Sequence, residues 1–259
     1  MARTLPWRTA WITGASSGIG REVALGLARA GVEVVVSARR ADQLADLAAG
    51  QPRITTFALD VTDRAAVGAA VPQIAARLGA IDLALLNAGV WHPMGASSYD
   101  ADKAIASMAV NYLGIVHALE PLIVLMTARG KGQIAMTGSV AGYRGLPQAA
   151  AYAPSKAAVI ALAESLRPDL ARKGVTVSVV NPGFVETPMT AVNDFPMPFL
   201  ITTEQAARLT IAGLSTGRFE VAYPWQMTAM MKIARILPYR AFFWYARKFL
   251  MPAGTSSRA

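Results

Sequence analysis

A glycine-rich segment near the amino terminus has the spacing of a phosphate-binding turn. The segment 13–20 reads TGASSGIG, follows an apolar run that predicts a strand, and precedes a run that predicts a helix. Gly14, Gly18 and Gly20 allow a tight turn and a close approach of the backbone to a pyrophosphate, and the start of the helix would direct free N–H groups at the anion. This context, rather than the glycines alone, predicts a dinucleotide site.

The residues after the second predicted strand indicate which dinucleotide is bound. Sites for NAD usually place an acidic residue there to bind the ribose 2′-hydroxyl, whereas sites for NADP place an arginine near the 2′-phosphate. Here the strand is followed by Arg39 and Arg40, and Asp42 falls in the first turn of the next predicted helix. Guanidinium groups make bidentate, charge-assisted bonds to phosphate, so the sequence favours NADP(H) over NAD(H). The alternative is that both arginines belong to a solvated loop.

Four polar residues further along the chain could form a reaction centre. Tyr152 and Lys156 stand four residues apart in a segment that predicts a helix, so they lie on one helix face. Ser139 ends the preceding predicted strand, and Asn111 lies in the long predicted helix before it. A tyrosine and a lysine at this spacing can also be an ordinary helix pair, and they gain meaning only together with the other motifs.

Together these motifs resemble the short-chain dehydrogenase/reductase family. The resemblance rests on TGASSGIG, on Asn-Ala-Gly at 87–89 after the fourth predicted strand, on Ser139 with the Tyr152–Lys156 pair, and on Pro-Gly at 182–183 after the sixth strand. It covers about residues 7–223, and the order and spacing of the blocks agree. It implies an oxidoreductase that interconverts a ketone or aldehyde and an alcohol, and it says little about the substrate.

The resemblance also implies a role for each polar residue. Tyr152 would be the general acid/base, and Lys156, together with the positive nicotinamide of the oxidised cofactor, would lower the pKa of the phenol from its ordinary value of about 10. Lys156 would also bind the nicotinamide ribose. Ser139 would orient the substrate carbonyl, and Asn111 would hold a water that links Lys156 to solvent. In the reductive direction the cofactor would supply hydride and Tyr152 the proton.

The predicted nucleotide site combines the two arginines with positions that the resemblance implies. Its members are Gly14, Ser16, Gly18, Ile19, Arg39, Arg40, Asp60, Val61, Asn87, Ala88, Gly89, Tyr152, Lys156, Pro182, Gly183, Val185 and Thr187.

The segment 184–203 after the sixth predicted strand, called the cover loop below, is expected to close over the substrate. It is rich in large apolar residues and contains only two charged ones, Glu186 and Asp194, and apolar, adaptable linings suit a hydrophobic or lipid-like substrate. The alternative is that these apolar side chains only pack the loop. The predicted substrate residues are Ser139, Tyr152, Trp91, Met94, Tyr143, Met189 and Phe195.

Apolar strand-like runs alternate with longer helical ones, which predicts a single α/β domain with a doubly wound, Rossmann-type parallel sheet. Strands are predicted at 9–13, 32–37, 54–59, 81–87, 133–138, 175–181 and 219–223. Helices are predicted at 20–30, 42–49, 63–78, 102–128 and 151–173. In the helix 102–128, Pro121 is a candidate break, and its uncharged part is shorter than the ~20 residues of a bilayer span. The catalytic domain is expected to cover 1–223, followed by an apolar, basic extension over 224–259.

The net charge of +9 is concentrated in this extension. Residues 221–259 contain six basic residues and no acidic one, and aromatic and aliphatic residues are interleaved with the cations. That mixture is typical of a membrane interface rather than of a phosphate track. We therefore expect 224–252 to contact an anionic membrane reversibly, or to shield a lipophilic substrate entry beside it, as two short helices divided by Pro238. The alternative is packing in the core or in a subunit interface.

Composition excludes several other classes of protein. There is no cysteine and there are only two histidines, which excludes thiol catalysis and cysteine or multi-histidine metal sites, so no metal is expected. No nucleic-acid-binding motif accompanies the basic charge, so nucleic acid is not an expected partner. His92 is expected to be a loop residue and His117 a hydrogen-bonded core residue.

Quaternary structure and location are also predicted from composition. The apolar excess of helices 102–128 and 151–173 predicts a homodimer or homotetramer, and the lack of cysteine favours a cytoplasmic location with peripheral membrane association. The alternative to an enzyme is a nucleotide-sensing Rossmann protein that docks on a membrane or partner through its extension.

Overall fold

The computed structural model describes residues 5–250, in which seven parallel strands form one sheet. The strands are β1 (Thr9–Thr13), β2 (Glu33–Ala38), β3 (Ile54–Ala58), β4 (Leu83–Leu86), β5 (Gly132–Thr137), β6 (Val175–Pro182) and β7 (Glu220–Tyr223). Their order across the sheet is β3-β2-β1-β4-β5-β6-β7. The chain winds outward from β1 in one direction and then from β4 in the other. This is the doubly wound arrangement that the sequence predicts.

Helices cover both faces of the sheet. They are α1 (Gly18–Arg29), α2 (Ala41–Ala48), α3 (Arg64–Leu78), α4 (Ala101–Met108), α5 (Gly114–Arg129), α6 (Tyr152–Ala171), α7 (Thr203–Leu214), α8 (Trp225–Ile236) and α9 (Tyr239–Tyr245). Helices α1, α2 and α7 bury apolar side chains on one face of the sheet, and α3, α5, α6 and α8 do so on the other. Alternate residues of the central strands enter the two cores, as Trp11 and Ile12 of β1 do, which explains why these strands are largely apolar, whereas the edge strands β3 and β7 are partly exposed.

The predicted strands and helices lie within two residues of the observed ones, and α7 is an additional helix that the sequence analysis missed. The sequence feature that indicates the start of α7 is a capping box formed by Thr202 and Gln205. The Thr202 hydroxyl accepts a hydrogen bond from the Gln205 amide at 3.2 Å, and the Gln205 side chain accepts one from the Thr202 amide at 3.3 Å. Two N-terminal N–H groups are thereby satisfied, which fixes where the helix begins.

One long helix runs through α4, a π-helical turn at Ala109–Leu113 and α5. Pro121 lies within α5 and does not end it, so the expected break is wrong, and the irregularity lies instead at the π turn that contains Asn111. The whole helix, 101–129, is long and apolar enough to cross a membrane by length and composition. It packs against α3 and α6, and a third of its most apolar window is buried.

The C-terminal extension begins as part of the same folded unit. Helix α8 buries Met227 and Met231 in the core that β5 and β6 also line. Pro238 precedes the first turn of α9, which confirms the prediction of two short helices divided at this proline. Residues 1–4 of the predicted catalytic domain and 251–259 of the extension, with the last two residues of the predicted membrane segment, lie outside the described residues.

Candidate active site

A cleft of about 550 Å³ lies at the carboxyl ends of the strands, where β1 and β4 diverge. The turn after β1, the end of β2, the turn after β4, Ser139 after β5, and the end of β6 all contribute to its walls. In doubly wound sheets this crevice is the place where ligands bind. One connected space therefore joins Arg39 and Arg40 to Tyr152 and Lys156.

Gly14 allows the turn after β1 to lie against the turn after β4. Its φ is +65°, and a Cβ at this position would lie 2.6 Å from the Ala88 Cα. The two turns are tied by the Asn87 side chain, which donates to the Gly14 carbonyl at 3.2 Å, and by the Thr13 hydroxyl, which accepts from the Asn87 amide at 3.0 Å. Any side chain at Gly14 would push the two turns apart and widen the floor of the cleft.

The beginning of α1 suits a phosphate group. Ser17 precedes the helix, but its side chain does not cap it, and the first turn contains no acidic residue. The positive end of the helix dipole therefore lies at the cleft without a protein anion to neutralise it. Gly18, with a φ of +58°, keeps this surface free of a side chain, and its Cβ would lie 3.1 Å from the Thr187 Cγ2. These features fit the diphosphate of a dinucleotide.

The two arginines lie at the end of β2, where a ribose phosphate would be recognised. Both are exposed and line the cleft, and Arg40 donates to the Ser16 hydroxyl at 3.3 Å. Asp42 occupies the first turn of α2, as predicted. The Asp60 carboxylate accepts hydrogen bonds from the backbone and hydroxyl of Thr62, so it is engaged in its own turn.

Tyr152 and Lys156 occupy the first turns of α6, and Ser139 lies just after β5 beside them. The Lys156 Nζ is buried, donates to the Thr137 carbonyl at 2.8 Å, and lies 5.5 Å from the centroid of the Tyr152 ring. The Trp91 ring meets the Tyr152 ring edge-on, with centroids 5.1 Å apart. The phenol ring is thus in contact with an indole and lies close to a cation.

Burial controls the ionisation of both groups. It raises the pKa of Tyr152 to about 12, against a small opposing effect of the Ser139 hydroxyl, which itself donates to the Pro182 carbonyl at 3.2 Å. Burial lowers the pKa of Lys156 to about 8. The lowering of the phenol pKa by Lys156 together with an oxidised nicotinamide remains a prediction for the complex with that cofactor. At neutral pH the phenol is protonated, which is the form that can donate a proton.

Asn111 supports the loop after β4. From the π turn its side-chain oxygen accepts from the Val90 amide at 2.7 Å, and its nitrogen donates to the Val90 carbonyl at 3.1 Å and to the Ser155 hydroxyl at 3.0 Å. It is fully buried behind the cleft rather than in its wall. Its predicted role in a water relay remains a prediction, and the contacts add a positioning role next to Lys156.

The structure brings all the predicted nucleotide residues into the cleft wall, together with Trp91, Ser139 and Met189 of the predicted substrate set. Three other predicted substrate residues lie outside it. Met94 is fully buried and its amide donates to the Gln148 carbonyl at 2.8 Å, while the Tyr143 hydroxyl donates to Glu220 at 2.5 Å. Phe195 packs against Phe184 in the cover loop, with ring centroids 6.0 Å apart. Nearness in sequence to a strand end placed these residues in the right region, but packing turned their side chains elsewhere.

The cleft also contains residues that the sequence analysis did not assign to it. His92 is the expected loop residue and lines the cleft, with a ring nitrogen 3.0 Å from the Ser107 hydroxyl. Thr190 also lines it and donates to the Val185 carbonyl at 2.6 Å, which braces the cover loop. Neither residue belongs to a recognisable motif, so only the folded chain reveals its position.

Trp91 connects the cover loop to Tyr152. Its indole N–H donates to the Asn193 side-chain oxygen at 2.9 Å, and Asn193 in turn lies 3.3 Å from the Met197 sulfur. The same indole packs on Tyr152. The position of the cover loop is therefore linked, through one side chain, to the wall beside the phenol.

Comparison with known proteins agrees with this geometry. Residues 8–195 match the family model described as short chain dehydrogenase. An uncharacterised oxidoreductase of Myxococcus xanthus is 39% identical over 249 residues, which make up 94% of this chain and 98% of that protein.

Solved structures extend the likeness to the fold. A short-chain dehydrogenase/reductase of Burkholderia phymatum, solved in complex with NAD, is 25% identical with a TM-score of 0.81 and covers 90% of this chain and 94% of its own. Levodione reductase is 25% identical with a TM-score of 0.79 and covers 86% of this chain and 98% of its own. The chain therefore belongs to the short-chain dehydrogenase/reductase family and is an NAD(P)-dependent oxidoreductase.

Proposed function

We propose that this enzyme is an NADP(H)-dependent carbonyl reductase that acts on hydrophobic, lipid-like ketones or aldehydes. The observation that carries the proposal is the position of the Tyr152 phenol, which lies beside Ser139 and Lys156 in the same cleft as Arg39 and Arg40. Family membership favours this function over that of a nucleotide-sensing scaffold.

The bound nicotinamide would supply hydride to the carbonyl carbon, and the protein residues would manage the charge on the carbonyl oxygen. The Ser139 hydroxyl can donate to that oxygen in place of the Pro182 carbonyl that it now contacts. As negative charge develops on the oxygen, the Tyr152 phenol donates its proton and the product leaves as an alcohol. Lys156 uses one of its three N–H donors on Thr137, which leaves two for the nicotinamide ribose.

The exposed arginines support NADP(H) as the preferred cofactor. Arg39 and Arg40 are the charged groups at the end of β2, while the nearby Asp42 belongs to the first turn of α2 and Asp60 is bonded to Thr62. A 2′-phosphate placed there would meet two cations, and no acidic residue directly follows β2 to accept from the 2′-hydroxyl of NAD.

Removal of either arginine is expected to weaken NADPH selectively. A hydrogen bond to a charged group contributes about 1.5–3 kcal/mol, so Arg40→Ala or Arg39→Ala should raise the dissociation constant for NADPH by about 10- to 100-fold and leave that for NADH within about twofold. Titration of intrinsic fluorescence with each nucleotide measures both constants. Arg53→Ala is the matched control, since Arg53 is also exposed but pairs with Glu33 outside the cleft. Equal losses for both nucleotides, or a wild-type preference for NADH, would contradict the assignment.

The cleft wall favours an apolar substrate. Beside the nucleotide residues and the polar His92 and Thr190, the wall includes five apolar residues, of which the cover loop contributes three: Trp91, Val110, Pro188, Met189 and Val192. Burial of each additional methylene of a ligand in such a wall contributes about 0.8 kcal/mol.

We expect turnover with NADPH to improve along a series of ketones of increasing alkyl length. Each two-carbon extension should raise kcat/KM by about tenfold until the chain outgrows the cleft, because the added methylenes leave water. Steady-state assays of 2-alkanones, followed by the loss of NADPH absorbance, measure this. Met189→Ser should flatten the series without reducing turnover of the shortest ketone. Turnover confined to small charged substrates would refute the proposed substrate class.

Of the two helices that the sequence suggested for a subunit contact, 102–128 and 151–173, the structure favours the first. Exposed large apolar side chains lie along α4, the π turn and α5, at Ile105, Met108, Leu113 and Val124, and none of this kind lies on α6. We therefore place the proposed homodimer or homotetramer contact on α4 and α5. The cytoplasmic location remains a prediction from composition.

A further inference from the structure

We propose that α8, α9 and the turn that follows them form a docking surface for an anionic membrane. This surface, called the C-terminal face, consists of the exposed aromatic, aliphatic and basic side chains between Trp225 and Leu250. Its binding to lipid does not depend on which substrate or cofactor the enzyme uses.

Helix α8 is apolar on two sides. Met227 and Met231 point into the core, whereas Trp225, Ile233 and Ile236 are 74%, 59% and 79% exposed. The three exposed residues recur at positions that share one face of a helix, so they form a continuous apolar stripe opposite the core. An apolar stripe of this kind needs a partner, because a stable surface helix ordinarily turns one apolar side inward and a polar side to water.

The stripe continues into α9 as aromatic side chains. Phe242 and Ala246 are buried and attach the segment to the protein, while Tyr239, Phe243 and Trp244 are each more than half exposed. Aromatic residues with one apolar and one polar part favour the headgroup level of a bilayer. Helix α8 has 12 residues and α9 has 7, so neither is long enough to span, and the geometry suits a segment that lies on the membrane.

The charge of the C-terminal face selects the partner. Residues 221–250 contain five basic and no acidic residues. Lys232 is paired with Glu220, but in the part of the chain that the structure describes Arg235, Arg240, Arg247 and Lys248 have no carboxylate within 4.0 Å. In a two-fold symmetric contact the same surface faces itself, so a second copy would oppose cations with cations. An anionic bilayer supplies both the apolar layer and the opposite charge.

Arg144 holds this surface in place. Its guanidinium carbon lies 4.4 Å from the centroid of the Tyr239 ring and 4.6 Å from that of Phe242, and its N–H groups donate to the carbonyls of Arg235 and Leu237 at 3.3 Å. One side chain therefore ties the end of α8 to the start of α9. Because the surface is ordered before binding, little conformational freedom is lost when it docks.

Co-sedimentation with vesicles tests the proposal on the full-length protein. We expect no binding to phosphatidylcholine vesicles, and binding to phosphatidylglycerol mixtures that rises with the anionic fraction and falls with salt. A triple variant, Arg240→Gln, Arg247→Gln and Lys248→Gln, should weaken binding about tenfold or more. Ile236→Ser should also weaken it and should leave its salt dependence unchanged, since the apolar stripe carries no charge.

A second triple variant separates the local surface from net charge. Arg29→Gln, Arg77→Gln and Arg172→Gln remove the same three charges from exposed positions elsewhere and should leave vesicle binding within about twofold. Equal weakening by both triple variants would overturn the proposal, as would the absence of binding to pure phosphatidylglycerol at low salt. Light scattering of the wild type and of Ile236→Ser measures whether the same surface is a subunit contact. If Ile236→Ser dissociates an oligomer of the wild-type protein, the C-terminal face is a subunit contact and the proposal is wrong.

Discussion

A Tyr152→Phe variant is expected to keep its fold and nucleotide affinity and to lose about 10²–10⁴-fold in kcat. The substitution removes only the phenol oxygen, and general acid catalysis by a positioned group contributes a factor of this size. The ring that remains still packs on Trp91 and beside Lys156, so the cleft should not change shape. Steady-state turnover with NADPH, nucleotide titration and thermal unfolding measure the three properties.

Tyr143→Phe is the control for Tyr152→Phe. The Tyr143 hydroxyl lies outside the cleft, where it donates to Glu220 at 2.5 Å and accepts from the Asn181 side chain at 3.3 Å. Its removal leaves buried polar groups short of a partner, which typically costs about 1–3 kcal/mol of stability, and should spare most of the turnover. Tyr152→Phe should therefore lose turnover and keep its stability, whereas Tyr143→Phe should lose stability and keep most of its turnover. Near-normal turnover in Tyr152→Phe would refute the proposed proton donor.

Lys156→Met should reduce both nucleotide affinity and turnover, the latter by about 10²-fold or more. Methionine has a similar length and no charge, so it fills the space but cannot donate to Thr137 or to a ribose. It also removes the cation beside the phenol, so the pH at which alcohol oxidation reaches half its maximum should move upward relative to the wild type. Nucleotide titration and pH profiles of oxidation measure these effects. Unchanged affinity for NADPH would contradict the ribose contact.

The stability of the same variant provides a separate readout. The pKa of Lys156 falls from 10.5 to about 8 in the folded protein, so between these values the unfolded chain binds the proton more readily. The wild-type protein therefore gains stability from this group as pH rises through that window and loses it as pH falls towards 8. The Lys156→Met variant has no ionisable side chain at this position, so its stability lacks this contribution to the pH dependence. Relative to the variant, the wild type should be more stable at about pH 10 than at about pH 7 in chemical denaturation, and parallel pH profiles would contradict the lowered pKa.

The predictions for Tyr152→Phe and Lys156→Met do not depend on the proposals for the C-terminal face, the arginines or the substrate series. Tyr152→Phe and Lys156→Met test proton donation and charge at atoms in the cleft, whereas Arg40→Ala tests a distant phosphate contact and vesicle binding tests a surface outside the cleft. If the enzyme reduces ketones with NADH, for example, the proposed cofactor preference is wrong, but the proposed role of Tyr152 as proton donor still stands.

Much of the fold and most of the nucleotide site follow from local features of the sequence. Strands that are buried on both faces must be apolar throughout, so their positions are visible in the sequence to within two residues. The glycine turn and the Tyr152–Lys156 pair are also local, because a few adjacent dihedral angles decide them. Because the strands are parallel, the carboxyl ends of β1, β2, β4, β5 and β6 lie at the same edge of the sheet. All the predicted nucleotide residues therefore meet in one cleft.

Contacts between distant segments decided the rest. The sequence alone shows that Met94 and Tyr143 follow strand ends, but Met94 is buried in the core and the Tyr143 hydroxyl is bonded to Glu220, which is far away along the chain. The same applies to Asn111, whose contacts with Val90 and Ser155 arise where three segments meet. The size of a pKa shift is also a tertiary property: surrounding elements remove the phenol of Tyr152 from water and raise its pKa, and residue type and spacing do not specify that burial.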